Sequence, residues 1–310
     1  MKKYPYFDAH CDTFWQMHKN KELTFTDSSL MVKIKDNGKY MPRVQVFAQY
    51  NNGSFSEDDM LNAFCFMKKQ FEAHSEYISG ALCTSDIDEN AKNGKMSAIM
   101  SIEGMGNQCD ITPDSIKKFW DAGVRIAGIS WNNDNVLCGG IGENNKGFTA
   151  LGKEVLKEME NHKMMLDVSH MSDQSFYDAF ENYSLPICAT HSNSRNIYAH
   201  NRNLTDEQFG EIVKRGGVCG INFYPLFLFG EKSGIKNMIS HIEHFLSLGG
   251  ENNIGLGSDF DGIDITPDEI KISDDVCKLF DALLALNYKE SLIEKIAFYN
   301  FYNFLKKFEI

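Results

Sequence analysis

The sequence predicts an α/β protein of the (β/α)8 TIM-barrel class, and three observations carry that prediction. Eight short β-rich runs alternate with helical stretches along 310 residues. Most of the runs are near-continuously apolar, the pattern of parallel strands buried on both faces. Residues able to bind metal collect at the C-terminal ends of these runs, where barrels of this class carry their active sites. One barrel accounts for the whole length, so residues 1–310 are read as a single domain, with the metal site at the C-terminal ends of the strands. An open doubly wound sheet is the alternative. No Gly-rich dinucleotide fingerprint follows the first strand, and "CGGIGENNKG" (138–147) lacks the G-x-G-x-x-G spacing. That segment is expected to be a long loop on the active face.

The first strand is "YFDAH" (6–10), opening the stretch "YFDAHCDTFW". Asp8, His10 and Asp12 stand at alternate positions there, and a continuing strand would turn all three side chains to one side. Three such groups inside an ordinary core are costly, so the strand is expected to line something polar. The next runs are "VQVFAQY" (44–50), "SAIMSIEG" (97–104) and "VRIAGISW" (124–131). "MMLDVSH" (164–170), "PICATHS" (186–192), "GVCGINFY" (217–224) and "NIGLGSDF" (253–260) complete the set. Helices fill the gaps. Ser56 is an N-cap, and Thr112 precedes Pro113 at a first helical position in a helix that stops at Gly123. Thr149 and Thr205 open two more helices, the second ending in Gly, and two helices close the chain around 273–286 and 289–307.

Composition removes several function classes. The formal net charge is −12, unsuited to nucleic acid or to an anionic membrane surface. No apolar run approaches the roughly 18–20 residues of a membrane span; "INFYPLFLFG" is far shorter and contains Pro225. "DAHCD" begins at position 8, which leaves no room before it for a signal-peptide core. The eight cysteines form no C-x-x-C pair and read as reduced thiols, so no disulfides and a cytoplasmic location are expected.

The strand ends carry the chemistry. They hold His10 and Asp12, then Glu103, His170 and His191, then Asp259 and Asp261. Taken alone, His170 has a lesser reading as a hydrogen-bonded core histidine and Glu103 as a salt-bridged carboxylate. Together, at five ends of one ring, they read as ligands. His18, His74, His162, His200, His241 and His244 fall in loops or helices. His241 and His244, three apart, are a weak second metal pair. Imidazoles with carboxylates and no thiolate pair suit catalytic zinc. The supply exceeds one ion's needs, and a two-metal site uses it better, with Glu103 as the natural bridge.

That ordered set, from "DAHCD" through "SIEG", "DVSH", "THS", "RNLTDEQ" and "NFY" to "GSDFDG", resembles the renal or membrane dipeptidase family, zinc peptidases of the M19 type within the amidohydrolase-like metal barrels. The resemblance runs along nearly the whole chain. It implies two Zn2+ per chain, one held by His10, Asp12 and Glu103 and the other by Glu103, His170 and His191. It also implies Asp259 as the acidic residue beside the metals and Arg202 as the arginine that recognises substrate. Family members often form homodimers. Two positions depart from the pattern. The mammalian members carry a histidine at the end of strand four that contacts the substrate carbonyl and its oxyanion, and "GISW" puts Trp131 there, with one N–H donor and no basic nitrogen. A tyrosine expected shortly after "NFY" is Phe227.

The reading is a metallo-dipeptidase that hydrolyses dipeptides with a metal-activated hydroxide at a binuclear zinc site. Asp259 serves as general base and then acid, Arg202 binds the substrate carboxylate, and Trp131 contacts substrate. Two alternatives stand beside it: another amide, lactam or ester hydrolase on the same metal framework, or a metal-binding homologue whose catalysis Trp131 has impaired.

Overall fold

The computed structural model describes residues 4–35, 38–142 and 144–308. Nine strands run in parallel: β1 (Tyr4–Asp8), β2 (Tyr40–Tyr50), β3 (Ile78–Gly80), β4 (Met96–Glu103), β5 (Val124–Gly128), β6 (Met165–Asp167), β7 (Cys188–Ala189), β8 (Val218–Ile221) and β9 (Ile254–Leu256). Eight of them close the barrel in the order β1-β2-β4-β5-β6-β7-β8-β9, with β9 pairing back to β1 through Asp8 and Leu256. These eight are the strands read from the sequence. The extra strand, β3, pairs only with the start of β4, from Met96 to Ala98, below the point where β5 joins at Met100. Its three residues, "ISG", are too few to form a recognisable apolar run.

Alternation along the strands sets the interior. Phe7, Val44, Val46, Ile99, Ile126, Met165, Cys188 and Val218 form one cluster with Phe298, Phe301, Phe304 and Leu305 of the closing helix. The aromatic face of that helix (Glu290–Glu294, a π turn at Lys295–Tyr299, then Asn300–Lys306) therefore floors the barrel. Phe301 stacks on Phe7 at 5.3 Å, and a Cβ at Gly255 would lie 2.3 Å from its ring. Going up β4 from this floor, Ile99, Ser101 and Glu103 share the inner face, so the same period that places an apolar floor places Glu103 at the mouth.

The first strand corrects one expectation. Phe7 and Ala9 belong to the interior, and Asp8 faces the outer layer, where it accepts from Tyr6 Oη at 3.0 Å and Ser258 Oγ at 2.6 Å. The strand stops at Asp8, so His10 and Asp12 do not continue its alternation. They reach the mouth because the chain follows the extension of β9: Ala9 N donates to Leu256 O at 2.9 Å and Asp12 N to Phe260 O at 2.8 Å. Asp12 then becomes the N-cap residue of the helix Thr13–Lys19.

Helix starts follow the capping chemistry. Ser56 makes a capping box with Asp59, Thr112 is the cap before Pro113, and Thr149 and Thr205 accept from backbone N–H groups one turn on. Residues 138–147 form a loop at the mouth, held by a bridge between Gly140 and Met171; Glu143 within it lies outside the described residues.

His241, in the helix Ile235–Ser247, is fully buried and serves structure. Its Nδ1 accepts from Ser194 N at 3.0 Å, and its Nε2–H donates to Leu228 O at 3.0 Å. Burial pulls its pKa down to about 4, against a smaller rise from the Leu228 bond. The unfolded chain protonates near 6.5, so the neutral ring's contribution is complete above that pH and drains away as pH falls toward about 4. His241→Gln is expected to flatten the acid side of the stability curve between pH 6.5 and 4, by up to roughly 1.4 kcal/mol per pH unit. Denaturant titrations across that window measure it, and an unchanged slope would show that His241 titrates normally.

Candidate metal centre

Five strand ends deliver six side chains to one place. β1 leads to His10 and Asp12, β4 ends in Glu103, β6 leads to His170, β7 to His191 and β9 to Asp259. His10, Asp12, Glu103 and His191 are buried, while His170 and Asp259 are partly open to the mouth. Glu103 Oε1 lies 2.9 Å from His170 Nε2, 3.6 Å from His191 Nε2 and 3.9 Å from His10 Nε2. His10 Nε2 is 3.4 Å from Asp12 Oδ2, and the His10 and His191 rings stack at 3.9 Å. Ligand atoms of His10, Glu103 and His191, and of His10, Asp12 and Asp259, fall within 4.8 Å of one another.

These residues fit a divalent cation. His10 Nε2 and Asp12 Oδ1 are buried without a hydrogen-bond partner, a costly arrangement unless something positive lies between them. His170 Nε2 and His191 Nε2 face each other at 3.0 Å. Burial drives both of those imidazoles well below their usual pKa, with Arg202 adding to the shift, so both are neutral. Burial also lowers His10, but Asp12, Glu103 and Asp259 outweigh it and raise that ring to about 10. Burial, with Asp259, pushes Glu103 up to about 7 against the pull of His10 and Arg202. Asp12 and Asp259 are raised by burial and by neighbouring carboxylates. A cluster that draws protons this strongly is short of positive charge, and its nitrogen and oxygen donors suit zinc.

Backbone geometry at β9 serves the cluster. Asp259 and Asp261 hold left-handed φ values of 64° and 67°, costing roughly 1–3 kcal/mol each. A Cβ on Gly262 would sit 2.2 Å from Asp12 Oδ2 and 2.7 Å from Asp259 Oδ1, so only glycine fits. Asp259 Oδ2 accepts from Asn222 Nδ2 at 3.0 Å. Asp261 turns away to accept from Thr13 Oγ1 at 2.6 Å and Met31 N at 2.7 Å, outside the cluster.

A cavity of about 320 Å3 opens above the cluster, walled by Trp15, Tyr50, Trp131, Tyr224, Phe227 and Asp264 among others. Trp131 packs on Tyr50 at 5.0 Å and on His170 at 6.3 Å. Arg202 is buried beside it, 5.5 Å from the Phe227 ring. It donates to Ser169 O, and to His191 O at 3.0 Å, while its Nε has no partner. It reaches a neighbouring cavity that shares Asn132 and Phe227 with the first. His241 and His244 do not form a metal pair, since His244 Nε2 pairs with Asp206 Oδ1 at 2.7 Å. Four supporting residues escaped the sequence reading: Asn132, Asp167, Thr190 and Asn222. Asp167 and Thr190 sit inside "DVSH" and "THS", and their place beside the ligands was the available signal.

Known proteins match this chain throughout. The family described as membrane dipeptidase (Peptidase family M19) matches residues 1–310. The "uncharacterized protein in pqqA 5′ region" of Klebsiella pneumoniae is 32% identical over 251 residues, covering 77% of this chain and 92% of that protein. An uncharacterized dipeptidase of Schizosaccharomyces pombe is 33% identical over 65% of this chain, which spans 50% of that protein's length. Among solved structures, a dipeptidase described as a metallo peptidase of family M19 superposes with a TM-score of 0.87 at 25% identity, covering 99% of each chain. A metallo peptidase from Rhodobacter sphaeroides, liganded with a phosphinate mimic of the dipeptide L-Ala-D-Ala, shares the fold at a TM-score of 0.88 and 24% identity, covering 99% of this chain and all of that one. With the closed barrel and the cluster at its mouth, the match over residues 1–310 makes this chain a member of the membrane dipeptidase family, Peptidase family M19.

Proposed function

We propose that the chain is a metallo-dipeptidase working with two zinc ions, one held by His10, Asp12 and Glu103 and the other by Glu103, His170 and His191. The observation that carries this is the position of Glu103 Oε1 among three imidazoles, 2.9 to 3.9 Å from each. Ions held by these residues would supply a Lewis acid for a substrate carbonyl and would lower the pKa of water toward about 7. Asp259 handles the proton. One of its oxygens is held by Asn222, and the carboxylate, made more basic by burial, takes a proton from the attacking water and returns it to the departing amine. Arg202, a fixed positive charge fastened by two backbone carbonyls, recognises the substrate carboxylate beside Phe227. Trp131 shapes the wall that the substrate side chains meet. Its packing on Tyr50 supports a role in selecting side chains. The eight cysteines are all free, which supports a reducing, cytoplasmic setting. Among the described residues no helix is long and apolar enough to cross a membrane.

Elemental analysis of gently purified protein should approach two divalent ions per chain, and chelation should abolish dipeptide hydrolysis. Full activity in metal-free protein would end this reading. Glu103→Gln should weaken both sites together, and unchanged occupancy of both would remove the bridge.

Dipeptides with a free carboxylate should be cleaved, and their C-terminal amides should be poor substrates. Arg202→Ala should erase the preference for the free acid, worth about 1.5–3 kcal/mol for a charge-assisted bond. Equal rates on acids and amides in the wild type would take Arg202 out of recognition. Good turnover of lactones or N-acyl amino acids with none of dipeptides would assign the same site to another hydrolase.

Trp131→Phe should leave kcat nearly unchanged, because a tryptophan that only fills the wall gives no transition-state donor. A loss of roughly 10²–10³ in kcat, with metal content intact, would instead make the indole N–H an oxyanion donor.

A further inference from the structure

The two facing imidazoles are oriented by different means. His170 Nδ1 meets Asn132 Oδ1 at 3.1 Å, and Asn132 lies on the half-exposed mouth loop. A rotated Asn132 amide would present a donor in place of its oxygen, so this contact leaves the His170 tautomer open. His191 Nδ1 meets Thr190 Oγ1 at 2.8 Å, deep in the barrel, where Thr190 and His191 are each 1% exposed. Thr190 Oγ1 is also 2.5 Å from Asp167 Oδ2 and 3.3 Å from Ser169 Oγ.

The single hydroxyl proton decides the direction of this chain. Asp167 is held by four donors: Ser169 N at 3.0 Å, Ser169 Oγ at 2.6 Å, Thr190 N at 2.9 Å and the Thr190 hydroxyl. A carboxylate can only accept, so the Thr190 hydroxyl points its proton at Asp167 and the Ser169 hydroxyl does too. Thr190 Oγ1 then has nothing left to donate and must accept from His191 Nδ1–H. A neutral ring protonated at Nδ1 turns a bare Nε2 toward Glu103 and His170.

From this we infer that Thr190 is a positioning residue. Its hydroxyl, oriented by Asp167, locks His191 in the one tautomer able to ligate through Nε2, and thereby secures one of the two ions selectively. The inference rests on the proposed metal site. The ion affected is the one shared by Glu103, His170 and His191, because neither Thr190 nor Asp167 touches His10 or Asp12. Asp167 acts on the imidazole through the hydroxyl, in the way that carboxylates beside metal-bound histidines raise ligand basicity directly.

The test uses the full chain as wild type, Thr190→Val and Thr190→Ser, titrated with zinc against a chelator of known affinity. Valine keeps the shape and removes the hydroxyl. Wild type should bind two equivalents. Thr190→Val should weaken one equivalent by roughly 10–100-fold while the other stays within about twofold, and Thr190→Ser should restore both. Nitrogen-15 histidine spectra of metal-free wild type should show His191 protonated at Nδ1. Both equivalents in Thr190→Val staying within about twofold of wild type, or both weakening equally, would overturn the inference. If Thr190→Val fails to fold, the wild-type spectrum decides: a proton on Nδ1 upholds the inference, and one on Nε2 overturns it. A wild type that takes up no zinc would overturn the metal reading itself, and the inference with it. Uptake of two ions by wild type and by Thr190→Val with the same two affinities would overturn the inference alone.

Discussion

Glu103 Oε1 is the atom on which the rest of the mouth depends. Three imidazole nitrogens lie within 3.9 Å of it, and Asp12 and Asp259 stand close behind. Burying that many carboxylates together is unfavourable without positive charge among them. Asp12, Glu103 and Asp259 draw positive charge toward His10, raising its pKa to about 10 against the effect of burial. The left-handed backbone at Asp259 and the bare Cα of Gly262 are the costs accepted to bring the last carboxylate in.

The barrel makes this concentration of charge tolerable by layering. Its floor is wholly apolar, built from one strand residue after another and the phenylalanines of the closing helix. Polarity rises toward the mouth, as the step from Ile99 through Ser101 to Glu103 on β4 shows. Between floor and ligands lies a belt of Asp167, Ser169 and Thr190, whose hydrogen bonds are all satisfied internally. The belt joins the loops after β6 and β7, and Arg202 ties them again through the carbonyls of Ser169 and His191. Ligand geometry is thus inherited from strand packing, with little left to flexible loops.

Much of this was legible in the residues. Apolar runs ended in histidine or acid, and caps such as Ser56 and Thr112 marked helix starts, so eight strands and the convergent set could be named. What failed did so for local reasons. Asp8 followed the spacing of His10 and Asp12 but faces outward, because regular strand ends at it and the two-residue period is not kept as the chain goes on along the extension of β9. Asp261 shares a motif with Asp259 yet turns to Thr13, with left-handed backbone at both and Phe260 between them. Asn132 and Asn222 were missed because an amide carries no signature of its own, and its role appears only once a ring or carboxylate lies beside it.

The floor has a consequence for how the molecule comes into being. His10 leaves a ribosome well before its partner Asp259 and the phenylalanines from Phe298 onward. Until β9 pairs with β1 the sheet has two open edges, and until the closing helix docks its interior is unfloored. The nascent chain therefore carries a growing, unclosed apolar sheet until β9 and the closing helix have been made, a state prone to association with other chains. Ring closure between β1 and β9, a contact of very long sequence separation, is the slow kind of event in folding. Asp259, delivered by β9, joins the cluster only with that closure.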